Sequence, residues 1–167
     1  PTAVTFRRPT RPRPRSRQQT NYAVRALMYC AVNPDKPSKV ADIAASFDMS
    51  ETHLFKIMKV LVDANLIKTI RGRNGGVMLA RPAENISVGE VVRAAEESFL
   101  LAECFDSGRK DCPLIMSCGF NGLLHEALEA FMEVLDGKSI ADLSEDRFGM
   151  RDLLKIEMTK APIAANA

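Results

Sequence analysis

Between residues 38 and 82 the spacing of the apolar residues changes from that of a helix to that of a strand. This change constrains the fold more than any other feature. Two short amphipathic segments, KVADIAASF and ETHLFKIMKVLVDANL, are separated only by Asp48, Met49 and Ser50. Ser50 can cap the second segment as a helix. Asp48 tolerates the positive φ that so tight a turn often needs. Two helices joined in this way form a helix-turn-helix.

A basic hairpin is predicted directly after the second of these helices. The β-prone runs LIKTI and VMLA flank RGRNGG, and Asn-Gly-Gly between two strands is a strong hairpin signal. A helix-turn-helix followed by a hairpin is a winged helix, which Pro82 closes. The predicted fold class is therefore mainly α with a small β-wing, a winged helix-turn-helix, plus a long dimerisation helix.

Some details of the three N-terminal helices can also be predicted. Thr20 is expected to cap the first helix, NYAVRALMYCAV, and Ser38 to open the second. Phe55 lies among polar positions of the third helix, and we expect it to join the core rather than to contact a thymine methyl. The third helix is expected to face inward with Leu54, Ile57, Met58, Leu61 and Val62.

The third helix and the hairpin hold the candidate DNA contacts. The second helix of a helix-turn-helix enters the major groove with the residues near its N-terminus. Lysine suits phosphates or guanine, and threonine reaches several base edges. We therefore predict binding to a double-stranded DNA operator; protein contacts or a solvated basic face are the alternatives. The predicted contacts are Glu51, Thr52, His53, Lys56, Lys59, Arg71 and Arg73.

A long amphipathic helix is predicted after residue 118. Before it, Ser87-x-x-Glu90 forms a capping box that starts a helix through VGEVVRAAEESFL. The later helix, FNGLLHEALEAFMEVLDG, ends at Gly137. Its apolar stripe has no obvious partner left in so small a chain, which predicts a homodimer; packing on its own domain is the alternative. The stripe consists of Phe120, Leu124, Ala127, Phe131 and Val134, flanked by Leu123, Leu128 and Leu135.

Three of the four cysteines, Cys104, Cys112 and Cys118, lie within fifteen residues, in a stretch that reads as a loop between the two later helices. They can hold a soft metal centre, act as a redox pair with a spare thiol, or simply pack. Without a C-x-x-C pair a standard zinc knuckle is disfavoured. Cys30 lies on the apolar face of the first helix and is expected to be buried. Nearby candidates for a fourth ligand are Glu103, Asp106, Asp111 and His125, each of which is individually more typical of a solvated surface residue.

The remaining composition bounds the class of protein. Residues 1–18 carry six arginines and no acid, which indicates a disordered basic arm that touches phosphate, a cloning scar or a misplaced start. No run approaches the roughly 20 apolar residues of a membrane helix, and the cysteines are expected to be reduced thiols in a cytoplasmic protein. No catalytic constellation is apparent, so an enzyme is not expected. The expected divisions are 1–18 for the arm, 19–82 for the winged helix, 83–119 for a connecting helix and cysteine loop, 120–143 for the dimerisation helix and 144–167 for a tail.

In combination, these motifs resemble the Rrf-type iron–sulfur transcriptional regulators over about residues 17–143. The resemblance is carried by QTNYAVRAL in the first helix, the wing RGRNGGV, the following LARPAENISVGEVVR, and AECF…DCPL…SCG before a long helix. The cysteine spacing of seven and then five residues is most similar to the RirA-like, iron-responsive branch of that family.

The resemblance implies a homodimeric winged-helix repressor with an iron–sulfur cluster on Cys104, Cys112 and Cys118. It favours a 4Fe–4S cluster over 2Fe–2S, and repression of iron-uptake genes while the cluster is present. IscR-like members use a histidine three residues after the last cysteine, and NsrR-like members an aspartate in the first helix. Here those positions hold Asn121 and Asn21, so the fourth ligand is not implied. A thiol-redox, nitric-oxide or oxygen sensor of the same fold, or an iron–sulfur electron carrier, is the alternative.

Overall fold

The helix-turn-helix lies within a mainly helical architecture. The computed structural model describes residues 16–96, 98, 99, 102, 112–114 and 117–156. In chain order the elements are α1 (Ser16–Val32), α2 (Val40–Ser46), α3 (Glu51–Asp63), β1 (Ile67–Ile70), β2 (Gly76–Leu79), a 3₁₀ turn (Ala83–Asn85), α4 (Val88–Ala95), α5 (Gly119–Asp136), a second 3₁₀ turn (Asp142–Ser144) and α6 (Arg147–Leu153). This arrangement confirms the predicted fold class.

The turn between α2 and α3 has the geometry that its residues predict. Asp48 adopts a φ of 51°, in the left-handed region. The Met49 amide donates to the Ala44 carbonyl at 2.9 Å, which closes α2. The Ser50 hydroxyl accepts from the His53 amide at 3.5 Å and caps α3. The direction of α3 is therefore set by local hydrogen bonds as well as by packing.

The wing is an antiparallel hairpin that is also attached to the chain ahead of α2. Its register pairs Ile67 with Leu79 and Ile70 with Gly76. Ser38 forms a β-bridge to Val77, with amide-to-carbonyl bonds of 2.9 and 2.8 Å in the two directions. The position of Ser38 predicted that it opens α2, but it does not. The helix begins at Val40 after Lys39, because the Ser38 backbone is used by the wing.

Gly76 allows this close approach, and its replacement is expected to be costly. A Cβ at Gly76 would overlap the backbone carbonyl of Ser38. For Gly76→Ala we expect the free energy of unfolding to fall by about 2 kcal/mol, because backbone atoms have to shift. Gly122→Ala is the matched control, since that site in α5 is open and alanine favours helix. Urea denaturation measures both, and equal stability of the two variants would contradict the expectation.

The core is centred on α1, which packs against α3, α4 and β2. The side chains that are fully buried include Leu27, Leu54, Leu61, Ile86 and Ile140. α1 begins at Ser16, so it extends into the segment expected to be an arm. Thr20 lies inside the helix and does not cap it; its hydroxyl donates to the Glu96 carboxylate at the end of α4.

Two apolar residues of α3 lie outside the core, contrary to expectation. Phe55 is 54% exposed, and Val62 is also exposed. The four other apolar residues of the helix, Leu54, Ile57, Met58 and Leu61, are buried as predicted. A helix of 3.6 residues per turn cannot turn positions 55 and 62 inward while it buries these four.

The C-terminal segment returns to the winged helix, where only a tail had been expected. The Ile140 amide donates to the Ile86 carbonyl at 2.9 Å. In α6, an Arg147 guanidinium nitrogen donates to the Ala31 carbonyl at 3.0 Å. Arg151 lies 3.9 Å from the Asp35 carboxylate. These polar contacts, which are distant in sequence, hold a short helix that has little apolar periodicity of its own.

Candidate DNA-binding surface and cysteine loop

The outer face of α3 is polar and accessible. All five predicted contacts of this helix, Glu51, Thr52, His53, Lys56 and Lys59, are exposed. The opposite face of α3 is buried in the core, and this packing fixes the position of the helix that carries these side chains. Phe55, which sequence reasoning assigned to the core, joins them and offers an apolar contact. Such a surface can meet phosphates through its lysines and base edges through its other polar groups.

The wing extends the same kind of surface. Arg71 and Arg73 are exposed in the loop between β1 and β2, and Lys68 is exposed on β1. Lys68 was not among the predicted contacts. It follows the buried Ile67 on the same strand, and the alternation of side chains along a strand places it on the other, exposed face. Cations on a protruding hairpin are placed to reach a nucleic-acid backbone or minor groove.

A polar clamp joins the last turn of α4 to the end of α5. The Arg93 guanidinium donates two bonds to the Asp136 carboxylate, the longer at 2.7 Å. The bond to Asp136 raises the pKa of Arg93, and the bond from Arg93 lowers the pKa of Asp136. Ser87 caps α4 by accepting from the Glu90 amide at 3.1 Å. The cysteine loop therefore starts and ends on two helices that are held together.

Helix α5 has two apolar faces, and only one of them is covered within the chain. Leu124, Leu128, Met132 and Leu135 are partly buried on the side that contacts α4. The other side presents Phe120, Leu123, Phe131 and Val134 to solvent, and Val134 is 71% exposed. The predicted stripe is thus divided between an internal contact and an open surface.

Two of the loop cysteines, Cys112 and Cys118, lie within the described residues. Cys112 is exposed, and Cys118 is partly exposed at the residue that precedes the helix; both are free thiols. Cys104, Glu103, Asp106 and Asp111 lie outside the described residues. Among the residues that the structure describes, no three potential ligands come together as a metal site.

The positions considered for a fourth ligand hold residues in distinct settings. His125 is exposed, with its Nδ1 2.9 Å from the Asn121 carbonyl one turn earlier. Asn121 is partly buried in the first turn of α5, and Asn21 is exposed on α1. The amide side chains of these asparagines are weak ligands for iron compared with thiolate or imidazole.

Cys30 is separate from this loop in both position and chemistry. It is 2% exposed in the core, as predicted. Burial raises the pKa of its thiol to about 12. The thiol is therefore protonated at neutral pH, so thiolate chemistry belongs to the loop cysteines.

Comparison with known proteins identifies the family. The model of the Rrf2 family, described as iron-dependent transcriptional regulators, matches residues 16–146. The chain belongs to the Rrf2 family. The match includes the winged helix, the cysteine loop and α5. A relative named Protein aau3, from Rhizobium meliloti, is 51% identical over 87% of this chain and 94% of its own length. The HTH-type transcriptional regulator NsrR of Geobacillus kaustophilus is 47% identical over 81% of this chain and 93% of its own.

Solved structures agree with the fold of this Rrf2 protein. IscR of T. potens matches with a TM-score of 0.62 and 26% identity, over 86% of this chain and 90% of the other. CymR, the global cysteine regulator of B. subtilis, matches with a TM-score of 0.62 and 23% identity, over 85% and 98% of the two chains. Family membership makes this Rrf2 protein a DNA-binding transcriptional regulator and not an enzyme. None of the helices in the described part of the chain could span a membrane.

Proposed function

We propose that this Rrf2 protein is an iron-responsive repressor of iron-uptake genes whose operator binding depends on an iron–sulfur cluster. The observation that carries the proposal is the contrast among the cysteines. Cys112 and Cys118 are accessible free thiols, and Cys118 directly precedes α5, whereas Cys30 is buried and protonated. The accessible thiols lie at one end of a helix that is clamped to the winged helix through α4.

The chemistry of the donor set fits a cluster. Thiolate sulfur is a soft ligand, and iron–sulfur clusters are held mainly by cysteine thiolates. Cys112 and Cys118 would bind the cluster together with Cys104, and a 4Fe–4S cluster is favoured over 2Fe–2S. Asn21 and Asn121 do not supply a strong fourth ligand. An iron with an open position would make the cluster labile, as a sensor requires.

The proposed reading surface consists of α3 and the wing. Lys56, Lys59, Arg71 and Arg73 would contact phosphate or guanine, and Glu51, Thr52 and His53 would lie at base edges. Affinity would come mainly from phosphate neutralisation and selectivity from base contacts. Phe55, exposed on the same face, suits a thymine methyl.

We further propose that the exposed face of α5 forms a homodimer. Its four large apolar side chains would otherwise remain in water, at a cost of about 25 cal/mol per Å² of apolar surface. A two-fold dimer would present two copies of α3 to two half-sites of an operator. The cluster would tie the cysteine loop to this helix, and its loss would alter the relative placement of the two reading surfaces.

The proposal is tested by anaerobic purification, with iron and sulfide counted per chain. Operators are selected from a random duplex library with cluster-loaded protein and bound again after chelation. We expect chelation to weaken operator binding about 100-fold or more, and the selected sites to lie ahead of iron-uptake genes. Lys56→Ala is a companion variant that should keep the cluster but reduce the salt slope of dimer binding by about 2, because each subunit loses one phosphate contact.

The alternatives give different outcomes. A thiol-redox repressor would be colourless. Oxidation would change its operator binding, and a reductant would reverse that change. A nitric-oxide or oxygen sensor would lose operator binding on exposure to the gas while iron is plentiful. An electron carrier would keep the cluster but show no operator preference. Equal operator affinity before and after cluster removal would overturn the proposal.

A further inference from the structure

A cavity of about 370 Å³ lies between the winged helix and the C-terminal segment, on a part of the molecule that the proposed function does not use. Its walls come from the C-terminal end of α1, from β2, and from the two 3₁₀ turns. The volume falls within the range of small-molecule sites. The lining contains neither a loop cysteine nor a residue of the exposed face of α5.

Three residues that line this cavity each carry a buried side-chain atom without a hydrogen-bond partner. The atoms are Asn33 Oδ1, Arg81 Nε and Ser144 Oγ. Asn33 and Ser144 are each only 4% exposed. Folded proteins leave few such atoms unpaired, because each has lost its hydration without compensation. Three of them around one cavity indicate a ligand that supplies complementary groups.

Existing contacts orient two of these side chains. The Asn33 amide nitrogen donates to the Ser38 hydroxyl at 3.0 Å, so its oxygen is left as the acceptor. Arg81 pairs with Glu90 through a terminal nitrogen, which holds its guanidinium in place. The cavity therefore offers a fixed acceptor and a fixed cationic donor, and the Ser144 hydroxyl can act as either.

The charges around the cavity restrict the class of ligand. Arg81 and Arg147 line it, and guanidinium groups favour a carboxylate or phosphate. Exposed Glu84 and Glu145 also line it and disfavour a group of high negative charge. The lining is balanced in charge, so the best fit is a ligand with one carboxylate and a hydroxyl or amino group that can donate to Asn33 Oδ1.

We propose that this cavity binds a small carboxylic acid that carries a hydroxyl or amino substituent. The carboxylate lies at Arg81 and Arg147, and the substituent donates to Asn33 and contacts Ser144. The site is independent of the cysteine loop. It joins β2 of the wing to the segment that follows α5, so its occupant contacts both the reading head and the C-terminal part of the chain.

Calorimetric titration of the full chain tests the site. The probes are glycerate and L-serine, with propionate as the probe that lacks the donor and glycerol as the probe that lacks the carboxylate. Glycerate or L-serine is expected to bind once per chain with a Kd below about 1 mM. Propionate and glycerol are each expected to bind about five-fold more weakly or worse.

Ser144→Ala distinguishes a binding site from a packing role. It is expected to weaken binding of the preferred probe about five-fold. It should not lower the melting temperature, because it removes a buried unpaired hydroxyl. Ser98→Ala, at an exposed serine outside the cavity, is the matched control. If neither glycerate nor L-serine binds at about 10 mM, or if Ser144→Ala binds like Ser98→Ala, the cavity holds solvent only and the proposal is wrong.

Discussion

Replacement of Cys118 by serine is expected to abolish the proposed iron–sulfur centre and, with it, specific operator binding. Serine keeps the size of the side chain but replaces a soft thiolate with a hard hydroxyl, which is a poor ligand for an iron–sulfur cluster. Cys118 precedes α5 directly, so this ligand would anchor the cluster to the helix. We expect iron and sulfide per chain to fall to background, and operator affinity to fall about 100-fold or more. Metal analysis and operator titration under anaerobic conditions measure the two effects.

The other cysteines provide the comparison for this variant. Cys112→Ser should behave in the same way, because Cys112 is the second accessible thiol of the loop. Cys30→Ala is the matched control, since Cys30 is buried in the core. It should retain iron and operator binding and lose about 1 kcal/mol of stability. If Cys118→Ser kept full operator affinity, the cluster would have no part in DNA binding.

A charge on the exposed face of α5 is expected to prevent dimerisation and to weaken operator binding strongly. Val134 is 71% exposed in the single chain and lies beside Phe131 on that face. In a dimer, Val134→Glu would bury an unpaired carboxylate, which is strongly unfavourable. We expect a monomer by analytical ultracentrifugation, and operator affinity reduced about 1,000-fold, because one reading surface then binds alone.

The opposite side of the same helix supplies the control. Glu129 is exposed on α5 away from both apolar faces, so Glu129→Gln changes charge without touching either. This variant should remain dimeric with unchanged operator affinity. Circular dichroism establishes that Val134→Glu is folded. A folded, dimeric Val134→Glu protein would show that α5 is not the dimer interface.

Much of the winged helix could be predicted because its signals are local. Ser50 caps α3 from the adjacent residue, Asp48 takes a positive φ in the turn, and the glycine-containing loop 71–75 joins two strands. The Ser87 cap of α4 is equally local. In each case the interacting groups are within a few residues of one another, so the pattern and its structural consequence are read in the same window of sequence.

The predictions that were wrong concern residues whose backbone or side-chain groups bond to a segment distant in sequence. Ser38 resembles a helix cap, but its backbone pairs with Val77 of the wing. Thr20 also resembles a cap, but it lies within α1 and bonds to Glu96. α6 was missed because it is held by Arg147 and Arg151 to residues more than a hundred positions earlier. Such contacts leave no periodic signal in the short helix itself.

The sequence by itself determined the family, the winged helix, the exposed polar face of α3 and the buried position of Cys30, because local periodicity and motif spacing specify them. Only the tertiary structure decided which face of α5 stays open and that Phe55 is exposed on the polar face of α3. It also brought Asn33, Arg81 and Ser144 around one cavity. These features depend on which surfaces cover one another when remote segments pack, and that competition is resolved in three dimensions.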